Sequence, residues 1–227
     1  MKFLLTSGGV RNPSIGAALV EMLGKPIAEA SALIVPTGIH PFASGAAGAF
    51  DAITGTASSP LAGLGWASLG VLELTALPTI RPENWVPQVR AADALLVWGG
   101  DVLYLCQWMR ESGLADLLPT LDDTVYVGVS AGSIAVTPYN CDAEFDRQFA
   151  VDGADLTGAD RGLGLIDVTL YPHLNDPGMA DTTLENITAW AAGIPVPTYA
   201  IDDDTALTVV DGVVNVVSEG RWHLLGG

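Results

Sequence analysis

The sequence predicts an α/β protein: a three-layer α/β/α sandwich around a mostly parallel sheet, finished by a C-terminal β-hairpin. Two observations carry the sheet. Short apolar runs recur along the chain, each stopping at Gly, Pro or Ser and each followed by a helix-compatible stretch, as in successive βα units. Most of these runs are apolar almost throughout, the pattern of strands covered on both faces by helices. The third observation is Asp211-Gly212 between two strand-like segments, a tight hairpin turn signal.

Taken in order, the run Lys2–Thr6 leads into Ser7-Gly8-Gly9, 32–35 into Pro36-Thr37-Gly38, and 71–77 into Pro78. The run 94–98 leads into Gly99-Gly100, and Val125–Val129 into Ser130. Helices are expected over Pro13–Leu23, 45–53, 83–91, Val102–Glu111 and 131–136. In the fourth, Leu103, Leu105, Cys106 and Met109 mark an apolar face. Past Pro138, Asp142, Glu144, Asp146, Asp152, Asp155 and Asp160 crowd a stretch that also holds Gly153 and Gly158, which reads as a solvated excursion. A strand is expected over 163–171, a helix over 177–192, and strands from Tyr199 onward. No repeat or linker divides the chain, so residues 1–227 are read as one domain.

Composition narrows the function. With 49% hydrophobic and 15% charged residues, whole-chain disorder and coiled coil are excluded. Nine Lys and Arg against 26 Asp and Glu leave a net charge of −17, a field that repels phosphate, so nucleic acid and anionic membrane are poor partners. No apolar stretch approaches the ~18 residues of a spanning helix. Phe3-Leu4-Leu5 is too short for a signal-peptide core, so a cytoplasmic location is expected. Cys106 and Cys141 fit a reducing compartment and cannot supply a four-thiolate zinc site; Cys106 is expected in the core.

The strongest chemical signal is Gly128-Val129-Ser130-Ala131-Gly132-Ser133, directly after an apolar strand. It fits a nucleophile elbow, in which a serine on a sharp strand-to-helix turn needs small residues two positions away on either side. Such a turn also aims the following amide, that of Ala131, at a developing oxyanion. Gly99-Gly100-Asp101, at another strand end, offers the Gly100 amide as a second donor, with Asp101 expected to cap the next helix.

A serine nucleophile needs a base, and the chain holds three histidines. His173 ends a strand-like run and would emerge at the sheet's carboxyl edge beside Ser130, which makes it the preferred base. His40 is read as a solvated loop residue or a substrate contact, and His223, beside Trp222 in the C-terminal hairpin, as structural. The orienting carboxylate stays open among Asp202-Asp203-Asp204, which follow another apolar run, and Asp142 and Asp176, nearer in sequence. Neither glycine pair extends into a dinucleotide fingerprint and no phosphate loop is present, so no cofactor is expected; nor is a metal at the Asp triplet, which has no further ligand at suitable spacing.

This ordered set, with Gly162-Leu163-Gly164-Leu165 leading to Pro172-His173 and with Ile201-Asp202-Asp203-Asp204, resembles the peptidase E (aspartyl dipeptidase) family of serine peptidases and its cyanophycinase relatives. The resemblance implies a flavodoxin-like sandwich of the class I glutamine-amidotransferase type and cofactor-free exopeptidase chemistry on short peptides. It puts the nucleophile on Ser130, the base on His173 and the acid on Asp203, where the family usually has Glu; Asp202 is the alternative, and a second family carboxylate falls near Asp142. An Asp-Xaa preference would need a fixed cation, for which Arg11, Arg147 and Arg161 lie near the expected active edge. An amide or ester hydrolase on a non-peptide substrate and a catalytically silent binding protein are the rival readings. A homodimer is compatible with the scattered tryptophans Trp66, Trp85 and Trp108, although core packing is their commoner use.

Overall fold

The structure is a computed structural model that describes residues 1–226. Its strands, in chain order, are β1 (Lys2–Thr6), β2 (Ser31–Val35), β3 (Ser68–Val71), β4 (Ala94–Val97), β5 (Val125–Val129), β6 (Thr169–Tyr171), β7 (Thr198–Ile201), β8 (Thr205–Val210), β9 (Val213–Ser218) and β10 (Trp222–Leu225). The helices are α1 (Pro13–Leu23), α2 (Gly45–Thr54), α3 (Pro82–Ala91), α4 (Val102–Glu111), α5 (Leu114–Leu117), α6 (Ala131–Ile134), α7 (Ala143–Asp146) and α8 (Leu184–Ala191).

Seven strands form one sheet in the order β3-β2-β4-β5-β1-β8-β9. From β3 to β1 every pairing is parallel, and β8 and β9 close the sheet antiparallel. Side-chain alternation along the central strands feeds two cores. Leu4, Ala94, Leu96, Val125 and Val127 pack with α1 and α2 on one face, through Ile15, Leu19 and Ala52. Phe3, Leu5, Leu95, Val97 and Tyr126 face the other side and meet α3, α4 and α6 through Val89, Leu105, Met109 and Ile134. This two-sided burial explains the near-continuous apolar runs. The expected hairpin is present: Asp211 and Gly212 take φ of 51° and 77°, the geometry that matches strand twist in a two-residue turn.

Four expectations are corrected. The strand over 71–77 is replaced by β3, upstream, and by a 3₁₀ stretch over Leu74–Thr79, because Glu73 Oε1 accepts the Thr75 N–H and Thr37 Oγ1 accepts that of Leu74. The strand over 163–171 shrinks to β6, since the amides of Leu163, Gly164 and Leu165 donate to the carbonyls of Ala135, Thr137 and Val136 at the exit of α6. The helix over 177–192 shortens to α8, started by the Thr183 side chain accepting the Asn186 N–H. Finally, not every late strand joins the main sheet: β10, β7 and β6 form a separate three-stranded sheet, so His223 pairs with Ala200 of β7 rather than sitting in the hairpin.

Among the described residues no helix is long and apolar enough to cross a membrane. Both cysteines are free thiols; Cys106 is fully buried, and burial pushes its pKa up to about 12. Trp85 is buried, whereas Trp66 and Trp108 are half-buried.

Candidate active site

The site forms where the carboxyl ends of β1, β4 and β5 meet those of β6 and β7. Ser130 follows β5 immediately and takes φ 50° and ψ −116°, a conformation a non-glycine residue holds only when its surroundings force it. The force is visible. The Ser130 amide donates to the Thr6 carbonyl at 3.1 Å, and Ser133 Oγ donates to that same carbonyl at 2.7 Å. The buried Tyr126 hydroxyl donates to the Gly132 carbonyl at 2.6 Å from the other side. A Cβ on Gly132 would run into the Val97 carbonyl of β4, and one on Gly128 would lie 2.7 Å from the Gly132 oxygen. Both glycines are therefore required by the close crossing of three backbones.

His173 also has a positive φ, 59°. Its Nε2 lies 2.9 Å from Ser130 Oγ, and its Nδ1 lies 2.8 Å from Asp203 Oδ1. With Nδ1–H donating to the carboxylate, Nε2 is left as an acceptor for the serine hydroxyl. The imidazole is mostly covered, at 16% side-chain exposure, which shields these bonds from competing water. Donation from His173 is the main reason that the Asp203 pKa falls, to about 2; burial opposes it, and the Ser7 hydroxyl and Arg11 add to it. Asp203 is accordingly ionised at neutral pH.

Sequence reasoning missed Ser7. Its Oγ donates to Asp203 Oδ1 at 2.6 Å and accepts the His173 backbone N–H at 2.8 Å, so one hydroxyl fixes both the carboxylate and the loop that carries the imidazole. Neighbouring Gly8 makes room: a Cβ there would lie 2.9 Å from Asp203 Cγ. The only local signal was the Ser-Gly-Gly ending of β1.

The remaining candidates separate clearly. Asp202 turns away from His173, with Oδ1 accepting from Thr205 Oγ1 at 2.8 Å and Oδ2 from the Arg221 amide, and so closes the β7–β8 turn. Asp142 has the Cys141 thiol as its hydrogen-bond partner; burial raises its pKa while the His173 charge lowers it. His40 sits at the surface with Nε2 3.2 Å from Glu73. Arg11 pairs with Asp203 Oδ2 at 2.7 Å. Arg161 lies over the Tyr139 ring and beside Asp160, and Arg147 is exposed. Donor atoms of His173, Asp176 and Asp203 come within 4.8 Å of one another, but a cation there would compete with the bonds that orient the imidazole.

Asp101 caps α4 as expected, accepting the Tyr104 N–H at 2.7 Å. Gly99 lies against Ser130, with its missing Cβ 3.3 Å from Ser130 Cβ and 3.9 Å from the Ala131 nitrogen. Among the described residues the Gly100 and Ala131 amides have no acceptor. The acidic excursion is not solvated throughout, because Asp146 is fully buried, held by the Leu103 amide and the Asn140 side chain.

Comparison with known proteins places this geometry in context. The model of peptidase family S51 matches residues 3–217. A protein from Listeria monocytogenes EGD-e, described as a candidate peptidase E, superposes with a TM-score of 0.68 at 17% identity, over 96% of this chain and 98% of that one. A peptidase from an acI-B1 actinobacterium superposes with a TM-score of 0.62 at 19% identity, over 100% and 91%. At these identities the structures speak for the fold. A search of curated proteins finds no match.

Proposed function

Since the chain belongs to peptidase family S51, and is therefore a serine peptidase, we propose that it is an exopeptidase acting on short peptides through Ser130, His173 and Asp203. The observation that supports this reading is the bridging imidazole, hydrogen-bonded to Ser130 Oγ at 2.9 Å and to Asp203 Oδ1 at 2.8 Å. Ser130 Oγ attacks the peptide carbonyl carbon as Nε2 takes its proton. The oxyanion that forms is met by the Ala131 and Gly100 amides. Collapse breaks the C–N bond, and the imidazolium returns its proton to the leaving amine. Water, deprotonated by the same Nε2, then attacks the acyl-enzyme and releases the carboxylate product with Ser130 restored. Asp203 remains ionised throughout and stabilises the imidazolium.

For the Asp-Xaa preference implied by the peptidase E resemblance, Arg11 is paired with Asp203 and Arg161 lies beside Asp160, which leaves Arg147 as the candidate cation with no ion-pair partner among the described residues. The test is a dipeptide panel varied at the N-terminal residue, with wild type and Ser130→Ala in parallel. Cleavage that falls by about 10⁴ to 10⁶ in the variant is expected. Residual activity within about tenfold of wild type would overturn the assignment.

A further inference from the structure

An open cleft of about 320 Å³ flanks the triad, and its charged and titratable lining consists of His173, Asp176, Asp202, Asp203, Asp204 and Arg221. Along the chain the Asp202-Asp203-Asp204 run has no further ligand at suitable spacing, but folding brings two. Residues 173–176 make a tight turn in which the Asp176 N–H donates to the His173 carbonyl at 2.9 Å, with His173 and Asn175 both at φ 59°. The turn carries the Asp176 carboxylate back to the imidazole, so that one donor atom each from His173, Asp176 and Asp203 lie within 4.8 Å of one another. Solvent reaches this group: the His173 and Asp203 side chains keep 16% and 28% exposure, and Asp176 is half-buried. Asp176 also has coordination to spare. Its Oδ1 accepts the Gly178 N–H at 2.7 Å, while among the described residues its other oxygen accepts no hydrogen bond. Asp202, by contrast, is committed to the β7–β8 turn, and Arg11 takes only Oδ2 of Asp203.

An imidazole and two carboxylates suit a borderline divalent ion such as Zn²⁺, which is satisfied by three protein ligands and a water, whereas Mg²⁺ and Ca²⁺ ask for six or more ligands, chiefly oxygens. Bonds of about 2.0–2.2 Å in a tetrahedron set donors roughly 3.3–3.5 Å apart, so the group must close by about 1.5 Å at most, within reach of a rotation of the Asp176 carboxylate. The two carboxylates offset the ion's charge. Arg221 on the cleft wall and Arg11 behind Asp203 oppose it, and the net charge of −17 draws cations toward the surface.

We propose that this cleft is an inhibitory site for a divalent transition cation of the zinc type, held by His173, Asp176 and Asp203. The proposal rests on the peptidase reading above, in which His173 is the base. A neutral imidazole has one free lone pair, and the ion takes it. Bound at Nε2, the ion removes the acceptor for the Ser130 hydroxyl; bound at Nδ1, it sends the ring proton to Nε2, which then donates to Ser130 Oγ and can no longer deprotonate it. Either way the serine keeps its proton until the ion leaves.

Fluorophosphonate labelling of Ser130 reads the inhibition, and calorimetry of Ser130→Ala, which keeps all three ligands, reads the binding. Zinc chloride should bind Ser130→Ala at one ion per chain and slow labelling of wild type by about 10²-fold or more at saturation, the contribution of a general base. Magnesium or calcium chloride at the same concentration should leave labelling unchanged. Asp176→Asn retains the Gly178 bond through its amide oxygen. It should label at the wild-type rate without metal and need at least about 10- to 100-fold more zinc for half protection, the range in which losing even an outer partner weakens a metal site. Zinc that binds without slowing labelling, protection undiminished in folded Asp176→Asn, or equal protection by magnesium overturns the proposal. A metal-free wild type that does not label overturns the peptidase reading instead. Calorimetry then still judges the cation site: zinc binding to Ser130→Ala that is lost when Asp176→Asn is added upholds it, and binding that persists overturns it.

Discussion

The seven-stranded and three-stranded sheets contribute to the site in opposite ways. The large sheet delivers Ser130 on a turn whose sequence requirements are local but whose anchors are not: two glycines permit the crossing after β5, Tyr126 holds the Gly132 carbonyl, and Ser133 ties the turn to the Thr6 carbonyl of β1. The small sheet delivers His173 and Asp203 from the ends of two short parallel strands, β6 and β7, joined across α8 and packed as a small cluster of Tyr171, Leu174, Ile187 and Ala200. The end of β1 ties the halves together. The Thr6 carbonyl holds the Ser130 turn, and Ser7, the next residue, holds His173 and Asp203. Rigidity at Ser130 comes from backbone crossing, whereas alignment of His173 and Asp203 rests on the Ser7 hydroxyl together with the Arg11 ion pair.

This contrast can be broken at defined places. Asp203→Asn should cost the most, about 10³ to 10⁴ in kcat, because an amide neither stabilises the imidazolium nor fixes the Nδ1–H tautomer; the readout is steady-state turnover of the best panel substrate. The same variant has a stability signature. The folded pKa of Asp203, about 2, lies below its ordinary 3.8, so the stabilisation is present above pH ~4 and is lost as pH falls toward 2. Denaturant titration should show a deficit of about 2 kcal/mol in Asp203→Asn at pH 7 that closes by pH 2. A deficit independent of pH would mean that the carboxylate's charge is not what holds the small sheet in place.

Ser7→Ala should have a smaller effect, about tenfold in kcat, the scale of losing one hydrogen bond to an ionised group. Reactivity of Ser7→Ala toward substrate should recover in Ser7→Thr, which keeps the hydroxyl. Failure of threonine to rescue would assign the loss to packing beside Gly8 instead.

How much could be read from sequence follows the same division. The elbow was legible because its requirements are written within six consecutive residues, Gly128 to Ser133. His173 was legible by elimination, though the expectation that its strand joined the main sheet failed, since sheet membership depends on pairing with Thr198 to Ala200, not on residues nearby. The residues alone left Asp202 and Asp203 open and only the family resemblance preferred Asp203, as adjacent residues leaving a strand point in opposite directions and the fold decides which direction meets the imidazole. Ser7 was invisible because its partners lie 166 and 196 residues away. Asp146 was misread with its acidic neighbours, being drawn inward by the Leu103 amide across 43 residues.

The most direct test of the account is mass spectrometry of the intact folded protein after exposure to a fluorophosphonate. A single adduct on Ser130, absent from Ser130→Ala and strongly slowed in His173→Ala, is the predicted result. An unmodified wild type, or an adduct on any other serine, would contradict the assignment of Ser130 as a nucleophile activated by His173.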